Sequence, residues 1–133
     1  ETILYLKQNG GIPFDSQMRW VDGSGLSRYN LLSPEIIVKA LRTILNIRGW
    51  DATKTLFPTT GQGTTENSFQ SIAMPVVYAK TGTLNNNFCL SGYFVSKKGR
   101  RFIFSIMVNH HMSSKKAVTN ACTQLLQWYW RKA

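Results

Sequence analysis

Apolar and polar positions along the chain first follow a helical period, then a period of two, then a helical period again. Residues 1–8, with Ile3, Leu4 and Leu6, read as the end of a helix capped by Gly10 or Gly11. Residues 12–21 read as extended or irregular, with Pro13 near the start and Met18, Arg19, Trp20 and Val21 strand-like. Asp22-Gly23-Ser24-Gly25 predicts a tight turn, because two glycines permit positive φ. Ile36, Ile37, Ala40, Leu41, Ile44 and Leu45 recur at helical spacing. Ser33 can cap that helix, Pro34 suits its first position, Glu35 favours its positive dipole end, and Gly49 is expected to end it. Residues 51–66 read as a polar loop and 67–73 as a short helical turn.

The pattern then becomes β. Val76 to Lys80, Phe88 to Val95 and Arg101 to Asn109 are three predicted strands, and Lys97-Lys98-Gly99-Arg100 is the hairpin tip joining the last two. Phe102, Ile103, Phe104, Ile106, Met107 and Val108 are apolar at both parities, so this strand is expected to be buried on both faces and the sheet needs cover above and below. A last helix follows, capped by Ser113 or Ser114. Ala117, Val118, Ala121, Cys122, Leu125, Leu126 and Tyr129 form its stripe, widened by Trp128 and Trp130, with Arg131 and Lys132 at the negative end. It can cover one sheet face; the chain offers less for the other.

Composition narrows the class. With 133 residues, 43% of them hydrophobic, the chain fits one domain or part of a larger one. No apolar run approaches the ~18 residues of a membrane-spanning helix. A start in mid-helix leads us to expect a truncated or processed chain. Cys89 and Cys122 are too few for a disulfide scaffold and lack metal spacing. Two buried thiols are expected, with a bridge as the alternative. The net charge is +10, and it is lopsided: residues 1–66 hold seven basic and six acidic residues, residues 67–133 nine basic and none acidic. Such a half favours anionic partners.

The candidate chemistry lies at residues 80–83, Lys-Thr-Gly-Thr, at the end of a predicted strand. Lys-Thr-Gly belongs to the signature set of penicillin-binding proteins and serine β-lactamases; standing alone it also reads as a strand turning at Gly82 beside a surface lysine. Its surroundings carry more. Tyr78-Ala79-Lys80-Thr81-Gly82-Thr83-Leu84 is followed by Leu90-Ser91-Gly92-Tyr93. About fifty residues earlier stands Asp22-Gly23-Ser24-Gly25-Leu26-Ser27-Arg28-Tyr29-Asn30-Leu31-Leu32-Ser33-Pro34. In this order the segments resemble the class C low-molecular-mass penicillin-binding proteins, the serine D-alanyl-D-alanine carboxypeptidases and endopeptidases of the penicillin-binding protein 4 (DacB) type. The resemblance extends from about residue 1 to residue 130.

The resemblance implies an α+β fold, the C-terminal part of a penicillin-binding/serine β-lactamase-like transpeptidase domain, with an antiparallel sheet flanked by helices. Residues 1–133 would be the C-terminal portion of that domain, truncated at its N-terminus. A serine would attack the carbonyl between two D-alanines of a peptidoglycan stem peptide, forming an acyl-enzyme that water releases, and β-lactams would acylate the same serine. The site residues implied are Lys80, Thr81, Gly82 and Thr83 for substrate binding, with Lys80 and Thr83 counted as catalytic. Lys80 would set positive charge beside a terminal carboxylate. Thr81 and Thr83 hydroxyls would hydrogen-bond that carboxylate. Gly82 would let the backbone approach the ligand. The Thr83 N–H would be one oxyanion-hole donor. The resemblance implies neither metal nor cofactor, and it implies a periplasmic compartment. The Asp22–Ser27 block reads as a turn that positions its neighbours, with Asp22 a turn residue rather than a base.

Two family motifs are not met. No Ser-x-Asn occurs, and the one literal Ser-x-x-Lys, Ser113-Ser114-Lys115-Lys116, follows Lys-Thr-Gly instead of preceding it. It reads as a helix start with surface lysines. The chain alone is therefore expected to be inactive, since removing the serine typically costs on the order of 10⁶ in turnover. Without the missing N-terminal part, strand 101–109 would have an unpaired edge and the sheet an uncovered face, so a homo-dimer, a domain-swapped form or modest stability is expected. The alternative is a non-catalytic basic module binding an anionic glycan or peptide. A nucleic-acid domain would draw on Lys97-Lys98-Gly99-Arg100-Arg101, but the aromatics beside it read as core and no nucleic-acid motif occurs.

Overall fold

The computed structural model describes residues 18–59 and 77–133. Helix α1 spans Pro34–Lys54; strands β1 (Val77–Leu84), β2 (Asn87–Val95) and β3 (Arg101–Asn109) follow, then helix α2 (Lys115–Lys132). The fold is α+β. The strands form one antiparallel sheet in the order β1-β2-β3, with Ala79 opposite Gly92 and Gly92 opposite Phe104. Side chains alternate across a strand, so this register sorts the residues onto two faces.

One face carries Val77, Ala79, Phe88, Leu90, Phe94 and, on β3, Phe102, Phe104, Ile106 and Val108. Helix α2 covers it with Val118, Cys122 and Leu126. The predicted α2 stripe is therefore corrected. Ala117, Ala121, Leu125 and Tyr129 are exposed, while Thr119 and Thr123 are buried. Both threonines can go inside because their hydroxyls donate to the carbonyls four residues back, at 2.9 Å each. Ser114 is the N-cap, its hydroxyl accepting from the Ala117 N–H.

Helix α1 lies against the opposite face, which sequence reasoning left under-covered. Tyr93, fully buried, donates its hydroxyl to the Leu41 carbonyl at 2.7 Å, and Trp50 and Phe57 pack edge-on against its ring. Burial pushes the Tyr93 phenol up to about 12. Cys89 projects from this face and Cys122 packs on the other, so both thiols stay free and the bridge is not formed. Burial pushes both thiols up.

Other boundaries also move. Gly49 interrupts α1 (φ 71°) but does not end it; the chain re-enters helix through Lys54, so residues 51–54 are not loop. Pairing of Trp50 with Tyr78 and Tyr93 holds that last turn in place. The strand-like stretch 18–21 supplies a single bridge, Arg19 to Leu31, rather than a strand. The first strand does not end at Lys80 but continues through Leu84, because each residue from Val77 to Leu84 has a partner on β2. The chain turns at Asn85-Asn86 rather than Gly82, and Asn86 takes the left-handed φ of 60° that asparagine tolerates. The predicted helix end at 1–8, its Gly10 or Gly11 cap, residues 12–17, loop residues 60–66, the helical turn at 67–73 and Val76 lie outside the described residues.

Candidate functional site

The polar half of β1 sits on a strand whose hydrogen-bonding phase is fixed upstream. The Ala79 N–H points away from β2 and donates to the Pro58 carbonyl at 3.1 Å. In an antiparallel strand, backbone groups of alternate residues point to the same side. With the pairing unbroken to Leu84, Thr81 and Thr83 direct their N–H and C=O groups to that outer edge. The Lys80 ammonium confirms the phase: Nζ donates to the Thr81 carbonyl at 2.7 Å. Lys80, Gly82 and Thr83 are exposed and Thr81 is half-buried. One strand edge thus collects an ammonium, a carbonyl and the Thr83 amide.

Gly82 and Gly92 differ sharply. Among the described residues, a Cβ on Gly82 would meet only the Cys89 Cβ, at an ordinary 3.8 Å. A Cβ on Gly92 would overlap the Tyr78 carbonyl oxygen and lie 2.6 Å from the Ala79 Cα. Close approach of β1 and β2 requires Gly92; nothing in the packing of the described residues requires Gly82.

Residues 19–31 form a closed loop that reaches this edge. Arg19 and Leu31 exchange backbone hydrogen bonds at 2.9 and 2.7 Å. Inside, the Asp22 carboxylate accepts from the Ser24 N–H (3.0 Å) and hydroxyl (2.7 Å). These Ser24 hydrogen bonds hold the Asp22 carboxyl below its usual range. Asn30 closes the other side, accepting from the Val21 N–H and donating to the Asp22 carbonyl. Asp22 is thus a turn residue, as expected. The loop brings Arg28 into a groove of about 410 Å³ that also has Thr83, Asn85, Asn86, His111 and Lys115 in its walls.

The four sequence-predicted residues are therefore contiguous, and the groove begins at Thr83. Sequence reasoning assigned no role to Arg28, His111 or Lys115. Arg28 had a signal, as the one basic residue of the Asp22–Asn30 block. Lys115 had none, being brought in by the turn from β3 into α2. Among the described residues no carboxylate lines the groove, and the arrangement suits an anionic ligand, with Lys80 at the strand edge and Arg28 and Lys115 across the groove. The Ser113–Lys116 tetrapeptide is a helix start: Ser114 caps α2 and both lysines are exposed.

Comparison with known proteins gives a consistent result. The D-Ala-D-Ala carboxypeptidase 3 (S13) family matches over residues 5–129. The chain is 32% identical over 111 residues to the D-alanyl-D-alanine carboxypeptidase DacB of Haemophilus influenzae, an alignment covering 80% of this chain and 23% of that protein. Its fold is similar to the crystal structure of penicillin binding protein 4 (dacB) from Haemophilus influenzae complexed with a novel β-lactam, with a TM-score of 0.81 and 28% identity over 97% of this chain and 31% of that one. A second structure of that protein gives a TM-score of 0.78 and 27% identity over 96% of this chain and 31% of that one. The chain spans less than a third of the length of these relatives.

Proposed function

The chain belongs to the D-Ala-D-Ala carboxypeptidase 3 (S13) family, and from that premise we propose that it is the C-terminal portion of a serine D-alanyl-D-alanine carboxypeptidase or endopeptidase acting on peptidoglycan stem peptides in the periplasm. The upstream portion of the protein supplies the nucleophilic serine, its lysine partner and the Ser-x-Asn motif. The present chain supplies the strand against which the substrate lies. The serine oxygen adds to the carbonyl of the penultimate D-alanine. The terminal D-alanine leaves with a proton, and water then hydrolyses the ester. A β-lactam carbonyl acylates the same oxygen with opening of its ring.

The observation that carries this reading is the outer edge of β1. Lys80 offers its charge to the terminal carboxylate, with the Thr81 and Thr83 hydroxyls as further donors. The outward Thr83 N–H is one oxyanion-hole donor. Gly82, which the packing of the described residues does not need, keeps that edge low enough for a peptide to lie on it.

Fluorescent β-lactam labelling tests the proposal. The full-length protein should be labelled. Lys80→Ala should lower its acylation rate about 30-fold, the loss expected for a charge-assisted hydrogen bond of about 2 kcal/mol. The 133-residue chain alone should stay unlabelled. Labelling of the chain alone, or an unchanged rate in the Lys80 variant, would overturn the reading.

A further inference from the structure

A cluster behind β1 grips the strand immediately before Lys80. Helix α1 breaks at Gly49, at φ 71°, and among the described residues an added Cβ there would meet nothing within 4 Å. No neighbour crowds the chain into this break; a glycine adopts it freely. The turn beyond it carries Trp50 onto the rings of Tyr78 on β1 and Tyr93 on β2. The ring centroids lie 5.6 and 6.0 Å apart, with interplanar angles of 89° and 87°. Arg101, at the start of β3, holds its guanidinium 4.7 Å from the Trp50 ring centroid. The indole is thus held by two rings and a cation, all in favourable electrostatic geometry.

The hold on Tyr78 bears on the site for a geometric reason. Tyr78 and Lys80 are two residues apart on one face of β1, about 7 Å along the strand. On the opposite face Val77 and Ala79 are buried against α2. Trp50 and α2 therefore grip β1 from its two faces at one level, and the Pro58 carbonyl ties the Ala79 N–H at that level too. Beyond it Lys80, Gly82 and Thr83 are exposed. The twist of the strand at Tyr78 thus sets the direction in which the Lys80 stem leaves and the Thr83 amide points. Trp50 is only half-buried, so burial alone does not fix its tilt; the Arg101 cation over its ring does.

We propose that Trp50, oriented by Arg101, is a positioning residue for acylation: through Tyr78 it sets the twist of β1, and with it the placement of Lys80 and of the Thr83 amide. The inference rests on the reading of β1 as the strand that receives substrate. A displacement of about 1 Å at a reacting centre costs about 100-fold in rate. The Thr83 amide acts on charge that develops during acylation, so the loss falls on the chemical step more than on binding.

β-Lactam acylation of the full-length protein, followed against concentration, tests this by separating the acylation rate constant from the dissociation constant of the first complex. Trp50→Leu keeps apolar bulk and removes the ring. It should lower the rate constant about tenfold and change the dissociation constant less than about threefold. Trp50→Phe should recover most of the rate. Arg101→Gln should lower it about threefold, as expected for an exposed cation–π contact. Rates are compared per folded molecule, with near-ultraviolet circular dichroism giving the folded fraction. A structural role alone would lower the unfolding midpoint of Trp50→Leu and leave both constants at wild-type values in the folded molecules. That result would overturn the proposal, as would a Trp50→Phe variant no faster than Trp50→Leu. Should Trp50→Leu not fold, Arg101→Gln decides, since Arg101 is exposed and its replacement leaves the fold intact: a wild-type rate constant there overturns the proposal. No acylation of the wild-type protein would remove the proposed function and this inference with it; wild-type acylation with unaltered variants removes the positioning role alone.

Discussion

From Val77 to Ala79, strand β1 is held on both edges and both faces; from Lys80 to Leu84 its β2 edge is paired and its outer edge turns to the groove. In the first stretch, β2 pairs on one side, Pro58 and Thr59 pair on the other, α2 buries Val77 and Ala79, and Trp50 packs on Tyr78. In the second, Lys80, Gly82 and Thr83 are exposed. The same continuous strand therefore serves packing at one end and, on the proposed reading, ligand chemistry at the other. Packing fixes the phase of the backbone, and that phase decides which way the Thr83 amide points.

Glycines on either side of this boundary give the sharpest way to break the comparison. Gly92 faces Ala79 in the packed half. Gly92→Ala drives a methyl into the Tyr78 carbonyl and the Ala79 backbone, so β1 must move off β2. A loss of at least about 3 kcal/mol in denaturant unfolding is expected. A loss under about 1 kcal/mol would mean that β1 is not held where the packed half requires it.

Gly82 lies in the open half, and the expectation there splits. Among the described residues Gly82→Ala meets only ordinary contact with Cys89, so stability should hold or rise by about 0.5 kcal/mol through the stiffer unfolded chain. Acylation of the full-length protein by a β-lactam should nevertheless fall at least about tenfold, because a methyl on the approach edge displaces the ligand. Equal losses of stability and acylation would place Gly82 with the packing glycines and remove the distinction between the two halves.

What the sequence made legible follows the same division. Periodicity located β2 and β3 to within a residue, and the cap Ser33-Pro34 located the start of α1, because burial and capping leave local signals. Lys80 to Thr83 were legible as a motif. Their being mid-strand was not, since Gly82 looks locally like a turn and only pairing with Cys89 shows otherwise. The end of α1 was misread for a similar reason: Gly49 does break the helix, but rings on β1 and β2 hold Trp50 in another turn. Arg28 and Lys115 were invisible as a pair because 87 positions separate them and only the fold sets them across one groove.

The smallest effect tests how the loop at 19–31 holds Arg28 to the open half of β1. Asp22 accepts two hydrogen bonds from Ser24, which hold its carboxyl below the usual carboxylate range. A depressed carboxyl stabilises the folded loop above its unfolded pKa, and that contribution disappears as pH falls through the folded value. The loop should thus be fully formed at neutral pH and loosen only under strongly acid conditions. Carboxyl-carbon NMR titration should place the Asp22 midpoint below the ordinary aspartate value, with the Ser24, Leu26 and Arg28 amides shifting in step. Asp22→Asn keeps the acceptor oxygen and removes the charge. It should preserve the neutral-pH amide pattern and abolish its acid transition. If the Arg28 amide were indifferent to both the titration and the substitution, the loop would not be what sets Arg28 beside Thr83, and the open half of β1 would have to be positioned by the sheet alone.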